Sequence, residues 1–410
     1  MEATVENKAG FRKTKNGWIP EDWKLIELGS LTKIYDGTHA TPKYVEKGVP
    51  FYSVEHVSKD NFQDTKFISE EVFKKENERV KLEKGDVLMT RIGDVGTAKL
   101  ISWDVRASFY VSLALIKKCS DLHPEYLEQC INGPLFQKEL YKRMIHVAFP
   151  TKINLGEIGK CLICVPSLDE QVKIAQILST WDQARVHTQR LISQLKERKR
   201  GLTFELLSGR KRLEGFTEKW NNVQIGSIAE QYSTKNKENK EITVLSCTKY
   251  DGLVPSLEYF GRKVYGDDIS KYKLVPRGYF AYATNHIEEG SIGLQTSLDV
   301  GLVSPMYTVF KTSDEIDDSF FFRLLKTDRM IYKYQSNMSG SIARRGGLRW
   351  NDFKGIEVSI PSKDEQIAIA KIFDQVDIEI RTAENYLESI LKQKKGLMQQ
   401  LLTGQKRVKI

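Results

Sequence analysis

One stretch of fourteen residues occurs twice in this chain with few changes. The first copy, residues 165–178, reads VPSLDEQVKIAQIL, and the second, residues 360–373, reads IPSKDEQIAIAKIF. The likeness continues without a gap to residues 213 and 408, through the endings GLTFELLSGRKR and GLMQQLLTGQKR. An internal repeat of this kind indicates that two equivalent structural units are joined in one chain.

Each copy has the sequence signature of a helix. Ser167 followed by Glu170 forms a capping box, in which the serine accepts from the amide three residues on and the glutamate side chain bonds back to the serine amide. The second copy repeats this pattern. Each copy ends at a glycine, Gly209 or Gly404, which tolerates the left-handed backbone that follows a helix. The sequence predicts a helix from about 168 to 207, roughly 60 Å long, and an equivalent helix in the second copy.

Apolar residues at seven-residue spacing predict that the two helices pair. Two columns run along each helix, and the second column begins three residues after the first. A seam sustained over four to five heptads favours a coiled coil. The alternative is two unrelated helices, each packed on its own domain. The residues expected at the helix-pairing and partner-binding surface are Ile174, Ile177, Trp181, Leu195, Leu202, Ile369, Ile372, Val376, Ile390 and Leu397.

The stretches that precede the two helices are also related, but more faintly. WKLIELGSL at 23–31 is similar to WNNVQIGSI at 220–228, and both stretches contain apolar runs bounded by turn residues, which are typical of strands. Each stretch therefore predicts a mixed α/β domain whose last strand leads into a long helix. The predicted divisions are an N-terminal extension (1–19), two globular domains (20–165 and 210–360), two long helices (166–209 and 361–404) and a C-terminal tail (405–410).

The repeat is cyclic. After the first helix, SGRKRLEGFTEKW leads to Trp220, whereas the second helix is followed only by the matching TGQKRVKI. The missing continuation resembles FRKTKNGWIPEDW near the N-terminus, which leads to Trp23. Two units closed head to tail imply a pseudo-two-fold axis and antiparallel helices. The predicted fold is α+β, with two mixed α/β domains separated by two long antiparallel coiled-coil helices.

Composition places the chain in a broad class. The formal charge of +9 and the pI of about 9.0 suit a polyanionic partner such as nucleic acid. No apolar run approaches the roughly 18–20 residues of a membrane span. The N-terminus MEATVENKAG lacks the apolar core of a signal peptide. We therefore expect a cytoplasmic protein.

Motifs for catalysis are missing. The chain has no N-P-P-Y, G-x-G-x-x-G, G-x-x-x-x-G-K-[ST] or H-E-x-x-H sequence. The pair Cys161 and Cys164 forms a C-x-x-C, but a zinc site needs four ligands and no second pair stands at a suitable spacing. We expect buried strand cysteines, and the sequence predicts no catalytic residue, no metal and no cofactor.

The two PSxDEQxxIAxI helix starts, the two GLxxxLL[ST]GxKR endings and the two dissimilar halves resemble the specificity subunit of type I restriction-modification systems. YDGTHATPKY at 35–44 looks like the opening of one kind of target-recognition domain in that family. The resemblance implies a non-catalytic subunit whose two domains each recognise one half of a bipartite, asymmetric site in double-stranded DNA. It also implies that the helices bind two methyltransferase subunits, that motor-endonuclease subunits join the complex, and that S-adenosylmethionine, ATP and magnesium belong to those partners.

Candidate DNA-contacting residues follow from side-chain chemistry. Arginine and lysine suit guanine, asparagine suits adenine, and threonine suits the thymine methyl group or a phosphate. The loop DGTHATPK, the stretches TRIGD and FPTKIN, and in the second half ATNH and the glycine-rich ARRGGLRW carry such residues; a solvated loop is the alternative for DGTHATPK. The candidates are Thr38, His39, Thr41, Lys43, Arg91, Lys152, Asn154, Asn285, Arg344, Arg345 and Arg349.

Two alternative functions are a specificity module within a self-contained restriction or methyltransferase enzyme, and a non-catalytic coiled-coil scaffold that binds no DNA. The missing motifs argue against the first. The second differs in an observable way, because binding to phosphates weakens steeply with salt.

Overall fold

The computed structural model describes residues 9–15, 17–338 and 347–410. Two compact units are present, one made of Met1–Arg190 with Glu384–Ile410 (unit 1) and the other of Leu191–Ala383 (unit 2). Each long helix contributes one half to each unit. Each unit is thus built from a globular domain and from segments of both helices, as a cyclic repeat requires.

Unit 1 combines small sheets with short helices ahead of the first long helix. Its strands are β1 (Phe11–Thr14), β2 (Gly17–Pro20), β3 (Lys24–Glu27), β4 (Ile34–Asp36), β5 (Tyr44–Val45), β6 (Val49–Tyr52), β7 (Lys66–Ile68), β8 (Val87–Ile92), β9 (Asp94–Leu100), β10 (Ser108–Phe109), β11 (Leu113–Ile116) and β12 (Leu162–Val165). Its helices are α1 (Leu28–Leu31), α2 (Val54–Lys59), α3 (Glu70–Arg79), α4 (Pro124–Ile131), α5 (Pro134–Arg143), α6 (Leu155–Gly159) and the first part of α7 (Leu168–Leu206).

Unit 2 repeats this plan with fewer strands among the described residues. Its strands are β13 (Asn221–Gln224), β14 (Ala229–Tyr232), β15 (Leu245–Thr248), β16 (Gly252–Pro255), β17 (Lys273–Pro276), β18 (Phe280–Ala283), β19 (Ile292–Leu294), β20 (Val300–Val303), β21 (Tyr307–Thr312) and β22 (Glu357–Ile360). Its helices are α8 (Ile225–Ile228), α9 (Ser256–Phe260), α10 (Asp318–Leu325), α11 (Asp328–Asn337), α12 (Trp350–Phe353) and the first part of α13 (Lys363–Leu401), with a 3₁₀ turn at Ile287–Glu289.

The same antiparallel sheet forms the centre of both domains. Its strand order is β4-β11-β8-β9 in unit 1 and β14-β21-β18-β19 in unit 2. The last strand of each domain, β12 or β22, pairs with an early strand of the same domain, β3 or β13, and then leads into a long helix. Unit 1 has in addition the sheet β10-β6-β7-β5. The prediction of two mixed α/β domains, each ending in a strand that leads into a long helix, is confirmed.

One apolar core in each unit joins the domain to both long helices. In unit 1, Trp23 and Tyr126 belong to the same buried cluster as Ile174 of α7 and Leu401 of α13. In unit 2, the cluster around Phe280 includes residues of both long helices in the same way. Among the residues that the structure describes, no helix combines the length and the apolar character that a membrane span requires.

The motif residues of the repeat form an ion pair that closes each unit. The buried carboxylate of Glu170, at the start of α7, accepts hydrogen bonds from Arg407 at 2.5 and 2.9 Å and from the indole N–H of Trp23 at 3.1 Å. In unit 2 the buried Glu365, at the start of α13, accepts from Arg212 at 2.7 and 2.6 Å. The start of each helix is therefore bound to the basic stretch that follows the other helix, and the cyclic repeat is confirmed.

This pair corrects one detail of the predicted capping box. Ser167 accepts from the amide of Glu170 at 3.4 Å, as predicted. The glutamate side chain does not bond back to the serine amide, because it forms charge-assisted bonds with arginine, which are roughly twice as strong as bonds between neutral groups. The glutamate of the motif therefore joins distant segments of the chain.

A second ion pair shows that the two helices run antiparallel within each unit. In unit 1, Asp182 of α7 binds Lys394 of α13 at 2.7 Å. From the pair of Glu170 and Arg407 to this pair the residue number rises on the α7 side and falls on the α13 side, so the two segments run in opposite directions. In unit 2, Lys199 of α7 binds Asp377 of α13 at 2.5 Å. The antiparallel pairing predicted from the repeat is confirmed.

The buried stripe on the helices differs from the prediction in its second column. Among the residues of the first column, Ile174, Ile369, Val376 and Ile390 are buried and Trp181, Leu195, Leu202 and Leu397 are partly buried. The second column runs one residue later than predicted, through Leu178, Ile192, Phe373 and Ile380.

The shift has a simple cause. A heptad alternates steps of three and four residues. Three and four residues after Ile174 the chain has Ile177 and Leu178, and after Ile369 it has Ile372 and Phe373, so both steps lead to an apolar residue. Ile177 and Ile372 are only partly buried and pack on the cores of their units. Leu191 and Tyr386, which the same reasoning assigned to the helix seam, are 48% and 60% exposed.

The five cysteines are free thiols. Cys161 and Cys164 of the C-x-x-C are buried, and burial raises the pKa of each thiol to about 12. A thiolate is the form that binds metals and attacks disulfides. The pair is therefore part of the core beside β12, as the sequence predicts.

We predict that Gly404→Ala destabilises unit 1 by about 1–3 kcal/mol, because the backbone there is left-handed and an added Cβ has no room. The φ angle of Gly404 is +69°, and a Cβ would lie 2.4 Å from Cδ of Pro20. The control is Gly396→Ala, inside α13 with no atom within 4 Å of the added Cβ, which we expect to stabilise the helix by roughly 0.5–1 kcal/mol. Urea unfolding of the full chain measures both, and equal effects would contradict the prediction.

Candidate nucleic-acid interface

Three segments of unit 1 that carry candidate residues meet one another through backbone hydrogen bonds, together with a fourth segment, 109–112. The amide of Thr38 donates to the carbonyl of Phe109 at 3.0 Å, and the amide of Val111 donates back to Thr38 at 3.0 Å. The amide of Ile153 donates to the carbonyl of Arg91 at 3.0 Å. The amide of Arg91 donates to the carbonyl of Ser112 at 2.9 Å and links the two pairs, so that the segments 37–43, 90–93, 109–112 and 151–154 come together although they are far apart in sequence.

Gly37 permits the closest of these approaches. A Cβ built on Gly37 would lie 2.0 Å from the carbonyl oxygen of Phe109. Only glycine lets two backbone segments come this near. The Asp-Gly pair of YDGTHATPKY is therefore required by the meeting of two loops, and this explains it better than an isolated surface turn does.

Asp36 connects the loops electrostatically. Its carboxylate lies 2.8 Å from Nε2 of His39, 2.9 Å from Nη1 of Arg79 and 3.5 Å from Nη1 of Arg91. Burial raises the pKa of Asp36, but the hydrogen bonds from Arg79 and His39 outweigh it and hold the pKa below its ordinary value. Asp36 is thus a charged anchor for the 37–43 loop.

Arg91 positions loops, which corrects its predicted role as a surface contact. The residue is 9% exposed, its Nη1 donates to the carbonyl of Val111 at 2.9 Å, and its Nε donates to the carbonyl of Ile153 at 3.2 Å. Burial lowers the pKa of the guanidinium, and the nearby Asp36 opposes that shift. Because the residue is buried and two of its nitrogens bind carbonyls of neighbouring loops, direct DNA contact by Arg91 is no longer proposed.

Thr38 is buried as well, at 7% exposure, and serves the loop contact through its backbone. The remaining candidates of unit 1 lie at the surface. His39, Thr41 and Lys43 are exposed on the first loop, and Lys152 and Asn154 are exposed beside β8 and ahead of α6. The hydroxyl of Thr41 lies 3.2 Å from that of Tyr110. Unit 1 thus presents five of the seven predicted side chains on one connected set of loops.

Unit 2 has an equivalent but chemically different set. The amide of Leu348 donates to the carbonyl of Thr284 at 2.8 Å, as Ile153 does to Arg91 in unit 1. This bond brings the half-buried Asn285 near the exposed Arg349, which precedes α12. The predicted contacts Arg344 and Arg345 lie outside the described residues.

One group in unit 2 has the donor set of a metal site. The ligand atoms of His286, Glu288 and Glu289 lie within 4.8 Å of one another on the loop that follows β18. His286 and Glu289 are exposed, and Nδ1 of His286 lies 3.8 Å from Oε1 of Glu289. Exposed acidic groups commonly cluster without a metal, so we assign no ion to this group.

Sequence reasoning missed two kinds of residue at these surfaces. Arg79 and Tyr110 support the 37–43 loop from distant segments, and nothing in their local sequence marks them. Phe149 and Val147, at the end of a loop next to Lys152, are 104% and 97% exposed. The signal for these two was an apolar pair inside a basic stretch without carboxylates.

Comparison with known proteins agrees with this architecture. The sequence model described as "Type I restriction modification DNA specificity domain" matches residues 20–197 and again residues 217–392. A protein of Methanocaldococcus jannaschii with the provisional name type I restriction enzyme MjaX specificity subunit is 27% identical over 440 aligned residues, which cover 97% of each chain. The MjaVIII specificity subunit of the same organism is 25% identical, over 97% of this chain and 96% of its own.

Solved structures share the fold. The S subunit of a type I restriction-modification system from M. genitalium superposes with a TM-score of 0.56 at 14% identity, over 95% of this chain and 98% of its own. A chain from a study of complex assembly in the type I system gives 0.57 at 10% identity, over 94% and 99%. Two matched domains that together span most of the sequence, on a fold shared along its length, place this chain in the family of type I restriction-modification DNA specificity subunits.

Proposed function

We propose that each unit recognises one half of a bipartite DNA target through its connected set of loops. The observation that supports this is the contrast within the molecule. The motif residues at the helix ends and the ion pairs between the helices recur in both units, whereas the loop surfaces carry different side chains. Equivalent frames with unlike surfaces suit a target whose two half-sites differ in sequence.

The surface of unit 1 offers donors and acceptors for base edges and phosphates. His39, Thr41 and Lys43 form one edge, and Lys152 and Asn154 form the other. Asparagine bonds to adenine, lysine to guanine or phosphate, and threonine to the thymine methyl group or a phosphate. Unit 2 offers Asn285 and Arg349, to which the sequence adds Arg344 and Arg345.

The long helices bind two methyltransferase subunits in this proposal. Leu191 and Tyr386 occupy equivalent positions of the two repeats and are 48% and 60% exposed. An apolar side chain that is exposed at the same position of both repeats suits a contact that is made twice. Two equivalent sites on the frame suit two copies of one partner.

Catalysis resides in partner subunits, according to the same proposal. The chain carries none of the methyltransferase or nucleotide-binding motifs named above. Motor-endonuclease subunits join through the complex, and S-adenosylmethionine, ATP and magnesium are bound by those partners. Incubation of the purified chain with DNA and labelled S-adenosylmethionine tests this, and methyl transfer without a partner would contradict it.

Methylation mapping tests the recognition proposal directly. DNA from cells that carry this chain with its partner subunits should be methylated at one split sequence, with a fixed spacer between unlike halves. The same chain should shift a duplex that carries the mapped site, with an affinity that falls steeply as salt rises. If the chain bound all duplexes equally well, the recognition proposal would be wrong and the protein would be a scaffold that binds DNA without sequence preference.

We predict that Arg349→Ala weakens binding to the mapped site by ~1–3 kcal/mol if the guanidinium contacts a guanine edge. Arg349→Lys should restore little of that loss, because lysine cannot form the bidentate contact. The control is Arg262→Ala, which removes another exposed arginine of unit 2. If Arg349→Ala instead weakens binding to all duplexes alike and flattens the salt dependence, the residue contacts phosphate.

A further inference from the structure

The loop between α5 and α6 is a short hairpin fixed at its base to the central sheet of unit 1. The amide of Ile145 donates to the carbonyl of Lys152 at 2.8 Å, which closes the hairpin. Lys152 also forms a bridge with Ile92, and the amide of Gly93 donates to the carbonyl of Thr151 at 2.7 Å. The hairpin is therefore held beside the loops of the candidate interface.

The tip of this hairpin presents apolar side chains to solvent. Val147 is 97% exposed and Phe149 is 104% exposed, and no large apolar side chain within the described residues is more exposed than Phe149. Burying a phenylalanine side chain is worth about 1.5–3 kcal/mol. A partner that covers this fully exposed phenylalanine would therefore bind more favourably, and the hydrogen bonds at the base of the loop hold the ring in place.

The chemistry around the tip selects the partner. Residues 141–154 hold three cations, Lys142, Arg143 and Lys152, and no carboxylate. Lys142 and Arg143 pair with Glu139 on α5, so Lys152 supplies the charge nearest the tip. Tyr141, 67% exposed, and His146 add two rings with centroids 4.6 Å apart. Aromatic and apolar groups among cations suit a polyanion with an apolar interior, and duplex DNA has both properties.

We propose that Phe149 is an apolar wedge that enters the DNA at a base step of the half-site bound by unit 1. Apolar wedges that partly unstack a step kink the duplex and expose more of it to the protein. Flexible pyrimidine–purine steps cost the least to open. This inference rests on the proposed function, and it assigns a specificity-determining role to a residue that makes no hydrogen bond to a base.

The test places 2-aminopurine, whose fluorescence rises on unstacking, at each position of the mapped half-site in turn. With the full-length protein we expect a rise at one step, and Phe149→Ala should abolish that rise. Phe149→Ala should also weaken specific binding by roughly ten- to a hundredfold, the range found when an aromatic side chain that stacks on a base is replaced by alanine. Phe149→Trp should retain both signals. Thermal unfolding should be unchanged, because the ring is exposed in the free protein.

The control is Tyr332→Ala, which removes an aromatic ring that is 70% exposed on α11 in unit 2. It should leave the fluorescence at this half-site unchanged. Specific binding without a fluorescence rise at any position would overturn the wedge and leave the proposed function intact. Loss of a co-purified partner subunit by Phe149→Ala, with DNA affinity unchanged, would assign the tip to a protein interface and overturn the wedge as well. Absence of specific binding by the unaltered protein would overturn both proposals.

Discussion

Glu170→Ala is expected to destabilise unit 1 by about 3 kcal/mol, because it removes two charge-assisted hydrogen bonds and the acceptor of a buried indole N–H. The variant loses two bonds from Arg407, although Asp22 still binds that arginine at 2.9 Å. It also leaves the indole N–H of the buried Trp23 without its acceptor. Glu365→Ala in unit 2 should cost somewhat less, about 2 kcal/mol, since only Arg212 loses its partner.

Asp169→Ala and Asp364→Ala are matched controls. Each removes the exposed carboxylate that stands next to the glutamate in the same motif, so charge and helix position are nearly the same. Exposed charges near a helix start contribute about 0.3–1 kcal/mol. Chemical unfolding of the full chain separates the cases. Equal losses for the glutamate and aspartate variants would show that the ion pair does not hold the units closed.

Exchange of residues 215–360 for the matching segment of a relative is expected to replace one half of the recognised DNA sequence and to leave the other half unchanged. This segment keeps the pair β13 and β22 together and leaves both long helices untouched. The frame contacts of Arg212 and Glu365 lie outside the exchanged segment. Methylation mapping in cells with the native partners reads both halves at once.

The reciprocal exchange within residues 20–165 is the control, and it should change only the opposite half. Affinity for the original split site should fall towards the non-specific level in both chimeras, a loss of about 4–10 kcal/mol for typical specific DNA-binding proteins. A chimera that changes both halves, or neither, would show that recognition is shared between the domains.

The frame could be predicted from the sequence because it repeats. Two copies of a motif reveal which positions are constrained within one chain. The helix bounds and the left-handed glycines follow from local chemistry, and the antiparallel pairing follows from the cyclic order of the repeat. The second heptad column was wrong because Ile177 and Leu178 are both apolar, so spacing alone does not decide between them. Packing on the domain core decided it, and packing is not local.

The loop surfaces could be predicted only in part. Residue type suggested where polar contacts would gather, and five of the seven candidates in unit 1 lie exposed on adjoining loops. Arg91 was misassigned because its carbonyl partners, Val111 and Ile153, are distant in sequence. An arginine that satisfies backbone groups and one that faces solvent look alike in a sequence. Exposure of the Phe149 tip likewise depends on how far the hairpin projects.

The division of the units has a consequence for the order in which the protein matures on the ribosome. Unit 2, residues 191–383, is continuous in sequence, so all its parts have been synthesised before residues 384–410 emerge. Unit 1 needs residues 384–410, which supply Arg407 to Glu170 and Lys394 to Asp182. Its core around Trp23 therefore stays incomplete until a segment that follows unit 2 has been made. Since domains fold as units during synthesis, the domain translated first is completed second.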